Sequence, residues 1–197
     1  MNKYLTPEQY LEIERRAEFK SEYYQGAMWP LGEPPIVATT KDAHSLIVWN
    51  LAAELRQQLR ERPCRAYLND MRVRVNAAGL FICADITAVC AEPQFLDETR
   101  DTLLNPTLIV EVLSPSTEAY DRGRKFEYYA TVESVTEYLL VSSERVRAEL
   151  YTRQPDGRWL LTAVGSLEDS LDLQSIGVHL ALADLYEKVD LTAPPAV

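Results

Sequence analysis

Hydrophobic residues recur at two spacings along the chain, and each spacing predicts a different kind of element. Between about residues 42 and 61 they lie three and four positions apart, which predicts a long amphipathic helix that ends before Pro63. A shorter helix is predicted for TPEQYLEIERRAE, because Thr6 can serve as its N-cap, Pro7 as its first residue and Gln9 as the third residue of a capping box. The segment around Gly26 to Pro35 predicts a turn and an irregular connection.

Alternating or continuous apolar runs predict the strands. MRVRV and LFICADITAVC, joined through NAAG, predict a β-hairpin, and TLIVEVL predicts a third strand. EAYDRGRKFEYYATV predicts a helix, EYLLVS, RAELYT and RWLLTAV predict three further strands, and Ala181 to Lys188 predicts a final helix. The order of helix, helix, strands, helix, strands favours an α/β (α+β) fold with a mixed β-sheet flanked by helices.

Composition narrows the class of protein. A chain of 197 residues, 47% hydrophobic, suits a single domain, which we place at residues 1–190 with a flexible tail at 191–197. The sequence has no apolar run long enough for a membrane helix and no apolar leader, so we expect a cytoplasmic protein that does not bind membranes. The three cysteines lack a CxxC pair and suggest neither a disulfide nor a zinc site. The net charge of −10 disfavours nonspecific nucleic-acid binding.

Two acids interrupt apolar runs that otherwise predict buried strands. Glu111 lies in the middle of TLIVEVL, and Asp85 lies 26 residues earlier in LFICADITAVC. An unpaired carboxylate in a buried strand costs several kcal/mol, so each acid requires a partner. If the two strands pair, both carboxylates can project to one point, where a hard divalent cation such as Mg²⁺ or Mn²⁺ would offset their repulsion. An ion pair, or a strand end that reaches water, is the structural alternative.

Lys125 is the candidate cationic side chain. It lies in the helix after SPST, four residues after Asp121, and from there it can reach back toward the two acids. An ammonium in that position can orient a water nucleophile and stabilise charge on a phosphate. An ordinary surface ion pair with Asp121 is the alternative.

Several motifs together carry a family resemblance. They are EYYQG, a histidine early in the long helix, ADITAVC, PTLIVEVLSPST, D-x3-K-x2-YY and EYLLV, and they run from about Leu5 to Leu185. In these motifs the chain resembles the Uma2 family (DUF820) of restriction-endonuclease-like proteins, within the PD-(D/E)XK nuclease superfamily. The resemblance implies a restriction-endonuclease-like fold whose mixed sheet carries an aspartate and a glutamate that bind Mg²⁺.

The resemblance assigns the acids one by one. Asp85 matches the first acid of the superfamily motif, although Ala84 replaces the usual preceding proline, and Glu111 matches the second acid. The lysine that normally follows the second acid by two residues is absent, because Leu113 stands there. A lysine on the next helix, here Lys125, looks like a migrated replacement that the family shares.

The implied activity is that of an endonuclease that hydrolyses phosphodiester bonds. Asp85, Glu111 and the backbone carbonyl of Val112 would bind one or two Mg²⁺ or Mn²⁺ ions, with Lys125 positioning the attacking water. Glu22, in EYYQG, matches a family glutamate near the same site and is a further candidate metal ligand, a solvated acid at a helix end being the alternative.

Nucleic acid, in the first place DNA, is the implied partner. A local basic track is conceivable along eight arginines, of which the last two flank the candidate site, although these residues can equally pair with the surplus acids: Arg56, Arg60, Arg62, Arg65, Arg72, Arg74, Arg122 and Arg124. A homodimer would let two sites act on two strands.

His44 can touch a phosphate or cap the long helix, and Tyr128 and Tyr129 can line the site or pack on the sheet. An inactive nuclease fold that serves as a binding or scaffold domain is the alternative function.

Overall fold

The structure, a computed structural model, describes residues 4–18, 20–24, 26–30, 42–75 and 79–192. Residues 31–35 of the predicted irregular connection, three residues of the predicted NAAG link and residues 193–197 of the predicted tail lie outside these ranges. Among the described residues, no helix has the length and apolar character needed to cross a membrane.

The helices begin largely where the sequence predicts. Their bounds are α1 (Pro7–Glu14), α2 (Asp42–Gln58), α3 (Glu118–Tyr120), a π-helical turn (Asp121–Lys125), α4 (Phe126–Ala130) and α5 (Leu182–Leu185). The predicted capping box of α1 is confirmed, because the Gln9 amide donates to the Thr6 hydroxyl at 3.2 Å and the Thr6 amide donates to the Gln9 side chain at 2.9 Å. The predicted helix after SPST is present as α3, the π turn and α4 in succession.

The strands form two large sheets and a small one. Their bounds are β1 (Ser21–Tyr24), β2 (Ala27–Pro30), β3 (Arg65–Leu68), β4 (Arg72–Arg74), β5 (Phe81–Cys83), β6 (Ile86–Val89), β7 (Thr102–Leu103), β8 (Leu108–Leu113), β9 (Glu137–Ser142), β10 (Ala148–Arg153), β11 (Trp159–Val164), β12 (Ser170–Leu173) and β13 (Val178–Ala181). The strand orders are β2-β1-β5-β4-β7, β11-β10-β9-β8-β6-β3 and β12-β13.

The predicted mixed sheet is confirmed, and its mixed character centres on β8. This strand pairs antiparallel with β6 and parallel with β9. The expectation that LFICADITAVC forms one strand is wrong: β5 pairs with β4 in the first sheet, and β6 pairs with β8 in the second. The chain leaves one sheet for the other at Ala84 and Asp85, where aspartate, a poor strand former, occupies a bend.

The two faces of β8 pack into two different cores. Leu108, Val110 and Val112 join the core beneath α2, whereas Ile109 and Leu113 join the core that contains Tyr129 of α4. Because side chains alternate across a strand, Glu111 must point toward the second core, on the side where α4 packs. The alternation therefore aims this acid at the helix that carries Lys125.

Some strands form where the sequence predicts none. Strands β1 and β2 pair antiparallel, with Glu22 opposite Trp29, whereas the sequence predicts no strand in this segment and a turn from about Gly26 onward. Strands β3, β7, β12 and β13 are also absent from the sequence prediction. Each is two to four residues long, and such short segments have little periodicity to detect.

The expectation of no disulfide is wrong in the structure. Cys64 and Cys90 are bonded to each other, 26 residues apart in sequence, while Cys83 is a free, buried thiol at the end of β5. The pairing follows from the ladder between β3 and β6, in which Arg65 lies opposite Val89, so that the residues immediately outside that pair also face one another. Cysteine spacing alone does not reveal this register.

Candidate active site

The glutamate in the central strand is almost fully buried. Glu111 has 3% of its surface exposed, in a strand whose six residues are all buried. Burial raises the pKa of this carboxyl well above its ordinary value, and the nearby Asp121 and Asp85 act in the same direction, against the opposing effect of Lys125. The strand thus holds an acid whose charge needs a compensating cation.

The π turn supplies that cation. Nζ of Lys125 lies 2.8 Å from Oε1 of Glu111 and 3.5 Å from Oδ1 of Asp121, and both side chains of the helical segment are buried. The hydroxyl of Tyr138, in β9, donates to the backbone carbonyl of Asp121 at 2.9 Å and so fixes the turn on the sheet. Although burial alone would lower the pKa of Lys125, its surrounding carboxylates raise it, so the ammonium stays charged.

The surface-pair alternative for Lys125 therefore does not describe the structure. The lysine does contact Asp121, as the four-residue spacing suggests, but the pair is buried and includes Glu111 as well. In the isolated sequence Asp121 is visible only as a helical neighbour of Lys125. In the structure it is one of the acids of the candidate site.

Asp85 lies at the bend between β5 and β6, beside the end of β8. Its Oδ2 accepts a hydrogen bond from the backbone N–H of Val112 at 2.7 Å and lies 3.4 Å from Nε2 of His44. Burial works against the charged carboxylate, but the contact with His44 and the Val112 hydrogen bond outweigh it and lower the pKa of Asp85. The pKa of His44 is raised. Burial alone would lower it by disfavouring the imidazolium, but Asp85 and the backbone of Val112 have the larger combined effect.

Val112 thus contacts Asp85 through its amide, while the candidate metal ligand is its carbonyl. The strand geometry explains the amide contact, because the first acid reaches across the sheet to the residue that follows Glu111. His44 lies near the start of α2, and α2 packs on the same face of β8 as Val112. His44 therefore contacts Asp85. The position of His44 early in a helix does not by itself indicate this contact.

Glu22 is a buried strand residue, so the solvated helix-end alternative is wrong. It is 2% exposed in β1, and its Oε2 accepts hydrogen bonds from the Tyr120 hydroxyl at 2.9 Å and from Nε1 of Trp29 at 3.3 Å. Its Oε1 is buried and has no hydrogen-bond partner among the described residues. Burial raises the pKa of Glu22, against the effects of Lys125 and these two donors.

These contacts leave the site with an excess of negative charge. One ammonium, on Lys125, interacts with three buried carboxylates, those of Glu22, Glu111 and Asp121. Apart from the ion pair with Lys125, Oε1 of Glu111 accepts no hydrogen bond in the described part of the chain. A further cation would relieve this imbalance, because it would offset both the repulsion and the lost hydration of the acids.

The carboxylate oxygens of the buried acids are chemically suited to bind a hard divalent cation. Carboxylate oxygens are the preferred protein ligands of Mg²⁺ and Mn²⁺. The buried Oε1 atoms of Glu22 and Glu111 accept no hydrogen bond among the described residues and offer such ligands, although that of Glu111 also pairs with Lys125. Within the described ranges, however, no three histidine, cysteine, aspartate or glutamate side chains gather closely enough to hold a metal ion. The ammonium of Lys125 lies between the acids instead.

The arginines near the site are partly engaged in ion pairs. Arg72 pairs with Asp101, and Arg122 pairs with Glu118 and Glu149. Arg124 is exposed, with no carboxylate partner in the described part of the chain. Two of the predicted arginines thus pair with surplus acids, as the alternative for the basic track suggests.

Comparison with known proteins finds a matching family model and similar sequences. The family model described as "Uma2: Putative restriction endonuclease" matches residues 7–183. Two Synechocystis proteins are similar: slr1290 is 36% identical over 182 residues, covering 92% of this chain and 91% of that protein, and sll1609 is 33% identical over 160 residues, covering 81% and 87%.

A solved structure shares the fold. The crystal structure described as "a putative nuclease belonging to DUF820" from Anabaena variabilis matches with a TM-score of 0.71 and 18% sequence identity. The match covers 92% of this chain and 97% of that one. Together with the mixed sheet centred on β8, this likeness confirms the predicted restriction-endonuclease-like fold.

Proposed function

The chain belongs to the Uma2 family, and from this membership together with its buried acid cluster we propose that it is a metal-dependent endonuclease that hydrolyses phosphodiester bonds. The observation that carries the proposal is the placement of Lys125 between Glu111 and Asp121, with Glu22 close enough to act on its charge. A fold built only for stability gains little from three buried carboxylates and one ammonium. A nuclease needs such a group of acids and one cationic side chain.

The acids and the lysine have different roles in this proposal. Asp85, Glu111 and the backbone carbonyl of Val112 would hold Mg²⁺ or Mn²⁺, with Glu22 as a further ligand. When bound, the metal lowers the pKa of water and neutralises charge that develops on the phosphate. Lys125 is close enough to Glu111 to orient a water molecule beside it and to stabilise negative charge on the phosphate oxygens.

Asp85 is positioned before any ligand binds. The Val112 amide and the His44 imidazole hold its Oδ2, and its lowered pKa keeps the carboxylate ionised at neutral pH. A carboxylate fixed in this way loses little conformational freedom when a cation or substrate binds. Asp85 therefore suits the role of the first metal ligand.

We propose nucleic acid in the cytoplasm, DNA in the first place, as the substrate, and a homodimer as the assembly that would cut two strands. The net charge of −10 opposes general attraction of phosphates, so binding must rely on local cations. The exposed Arg124 lies one residue before Lys125 and is the nearest such group in sequence.

One observation favours a second function. Because no three candidate ligands gather in the described ranges, and because Lys125 already pairs with Glu111, the site can also persist as a structural ion-pair cluster without a metal. The domain would then bind or organise other molecules without hydrolysing nucleic acid.

Calorimetric titration separates the two functions. Mg²⁺ and Mn²⁺ are titrated into the wild type, Glu111→Gln and Glu137→Gln, and the same preparations are incubated with plasmid DNA and with RNA. Glu137 is a matched control, since it too is a buried strand glutamate, 1% exposed, but accepts hydrogen bonds from the backbone of Gln174 and from the backbone and hydroxyl of Ser175. The nuclease proposal expects binding and cleavage in the wild type and Glu137→Gln, and loss of both in Glu111→Gln. A wild type that binds no divalent cation supports the second function.

A further inference from the structure

A cavity lined mainly by aromatic rings lies beside the acid cluster. Its volume is about 410 Å³, within the usual range for small-ligand pockets. Its lining residues come from the β1–β2 hairpin and from the helical segment that carries Lys125: Tyr24, Ala27, Trp29, Tyr120, Arg124 and Tyr128. Four of the six are aromatic, one is cationic and none is acidic, although the protein as a whole has a net charge of −10.

Two of the rings are held in place by the candidate active site itself. Nε1 of Trp29 and the hydroxyl of Tyr120 both donate to Oε2 of Glu22, at 3.3 and 2.9 Å. Their polar atoms therefore point toward the acid cluster, while their ring surfaces remain to form the wall of the cavity. The rings of Tyr24 and Tyr128, two further lining residues, lie 5.7 Å apart between centroids, at an angle of 44°.

The charged member of the lining suits an anion. Arg124 is exposed and has no carboxylate partner in the described part of the chain, in contrast to Arg122, which is held by Glu118 and Glu149. A guanidinium beside aromatic rings can bind a phosphate and stack on a planar ligand. Aromatic faces with one free cation are typical of sites for unpaired nucleotides.

We propose that this cavity binds an unpaired nucleobase, stacked on Trp29 or Tyr128, with its flanking phosphate on Arg124. This inference rests on the proposed nuclease function and deepens it: the preferred substrate is a single strand, or a strand locally released from a duplex, because a base that is paired and stacked in a duplex cannot present its face to the aromatic rings of the cavity. Stacking accepts any base, so the cavity gives little sequence preference. Trp29 and Tyr120 line the cavity and also contact Glu22. A nucleotide bound in the cavity therefore lies next to the acids that act on its phosphodiester backbone.

Anisotropy of end-labelled oligonucleotides, measured in EDTA so that nothing is cleaved, tests the proposal. A DNA single strand, the RNA of the same sequence and the blunt DNA duplex are each titrated with the full chain. The expected result is at least about ten-fold tighter binding of a single strand than of the duplex, the size of one stacking contact. The two single-stranded arms show whether the base comes from DNA or RNA.

Variants place the binding in the cavity. Tyr128→Leu and Trp29→Leu are expected to weaken single-strand binding roughly ten-fold, whereas Tyr128→Phe keeps the ring and the affinity. Trp49→Leu is the matched control, because Trp49 is 72% exposed and lies outside the lining. Tyr128 makes no hydrogen bond to Glu22, so its replacement leaves the contacts of Glu22 with Trp29 and Tyr120 in place. If Trp29→Leu does not fold, the result for Tyr128→Leu therefore tests the proposal.

The outcomes separate this inference from the enzyme proposal. Equal affinity for duplex and single strand, or a Tyr128→Leu variant that binds like the wild type, overturns the pocket assignment even if Mg²⁺-dependent cleavage occurs. Single-strand binding that depends on Tyr128, without cleavage in any divalent metal, supports the pocket and overturns the nuclease. Absence of binding and of cleavage with all three nucleic acids overturns both.

Discussion

Replacing Lys125 with methionine should cost much of the stability of the protein. The substitution keeps the length of the side chain but removes the ammonium that lies 2.8 Å from Glu111, which is 3% exposed. Breaking one half of a buried ion pair typically costs about 3–5 kcal/mol, because the remaining charge is neither paired nor hydrated. For a chain of this length that cost corresponds to a fall in melting temperature of roughly 6–20 °C.

Urea unfolding followed by circular dichroism, in EDTA, measures this loss. It should be smaller at pH 5 than at pH 8, because the pKa of Glu111 is already raised and a proton can neutralise the unpaired carboxylate. Glu111→Gln combined with Lys125→Met should recover at least about 1 kcal/mol of the loss, as expected for two residues in contact. Lys20→Met is the matched control, because its partner Asp70 is 86% exposed and such surface pairs contribute about 0–1 kcal/mol.

Two results would refute this reasoning. One is a Lys125→Met variant whose free energy of unfolding at pH 8 lies within about 1 kcal/mol of the wild type, the expected range of a surface pair. The other is a double variant as unstable as Lys125→Met alone. Either would mean that Lys125 does not compensate the charge of Glu111, and the proposed catalytic role of the lysine would lose its structural basis.

Two further predictions concern stability away from the site. Replacing Cys64 and Cys90 together with serine should lower the free energy of unfolding by about 3–4 kcal/mol, as expected for a cross-link that spans 26 residues, and thiol titration in denaturant of protein purified without reductant should find one free thiol per chain. Asp101 accepts hydrogen bonds from Arg15 at 2.8 and 3.1 Å, and although burial opposes it, Arg15 and Arg72 lower its pKa below 3.8. Its contribution is thus present above pH 3.8 and lost as the pH falls through the folded-state value, so Asp101→Asn should cost about 1.5–3 kcal/mol in urea unfolding at pH 7, and this cost should shrink as the pH is lowered below 3.8.

The parts of the fold that the sequence predicts are those with local signals. The capping box at Thr6 is encoded by four consecutive residues. The long amphipathic helix α2 is indicated by hydrophobic residues that recur every three or four positions along its length. Glu111 is conspicuous because an acid in an apolar run contradicts its surroundings, and the structure does bury it. The contact of Lys125 with this acid could be anticipated, since the helix that carries the lysine follows the strand directly.

The remainder depends on pairings between distant segments. Glu22 is buried in β1, and the pairing of this strand with the distant β5 is not revealed by the sequence of residues 20–30. The bond between Cys64 and Cys90 depends on the register of β3 against β6. Likewise, Asp85 leaves the strand predicted for it because two sheets compete for the segment around it, and no local propensity describes that competition.

The π-helical turn at Asp121–Lys125 has a consequence for changes in chain length. A π turn accommodates one residue more than an α-helical path between the same two ends. A deletion of one residue within it can therefore close the turn to α-helical geometry while α3 and α4 keep their places on the sheet. Such a deletion would alter the approach of Lys125 to Glu111 together with the ion pairs of Arg122. In this segment the length of the backbone, as well as the identity of the side chains, sets the geometry of the candidate site.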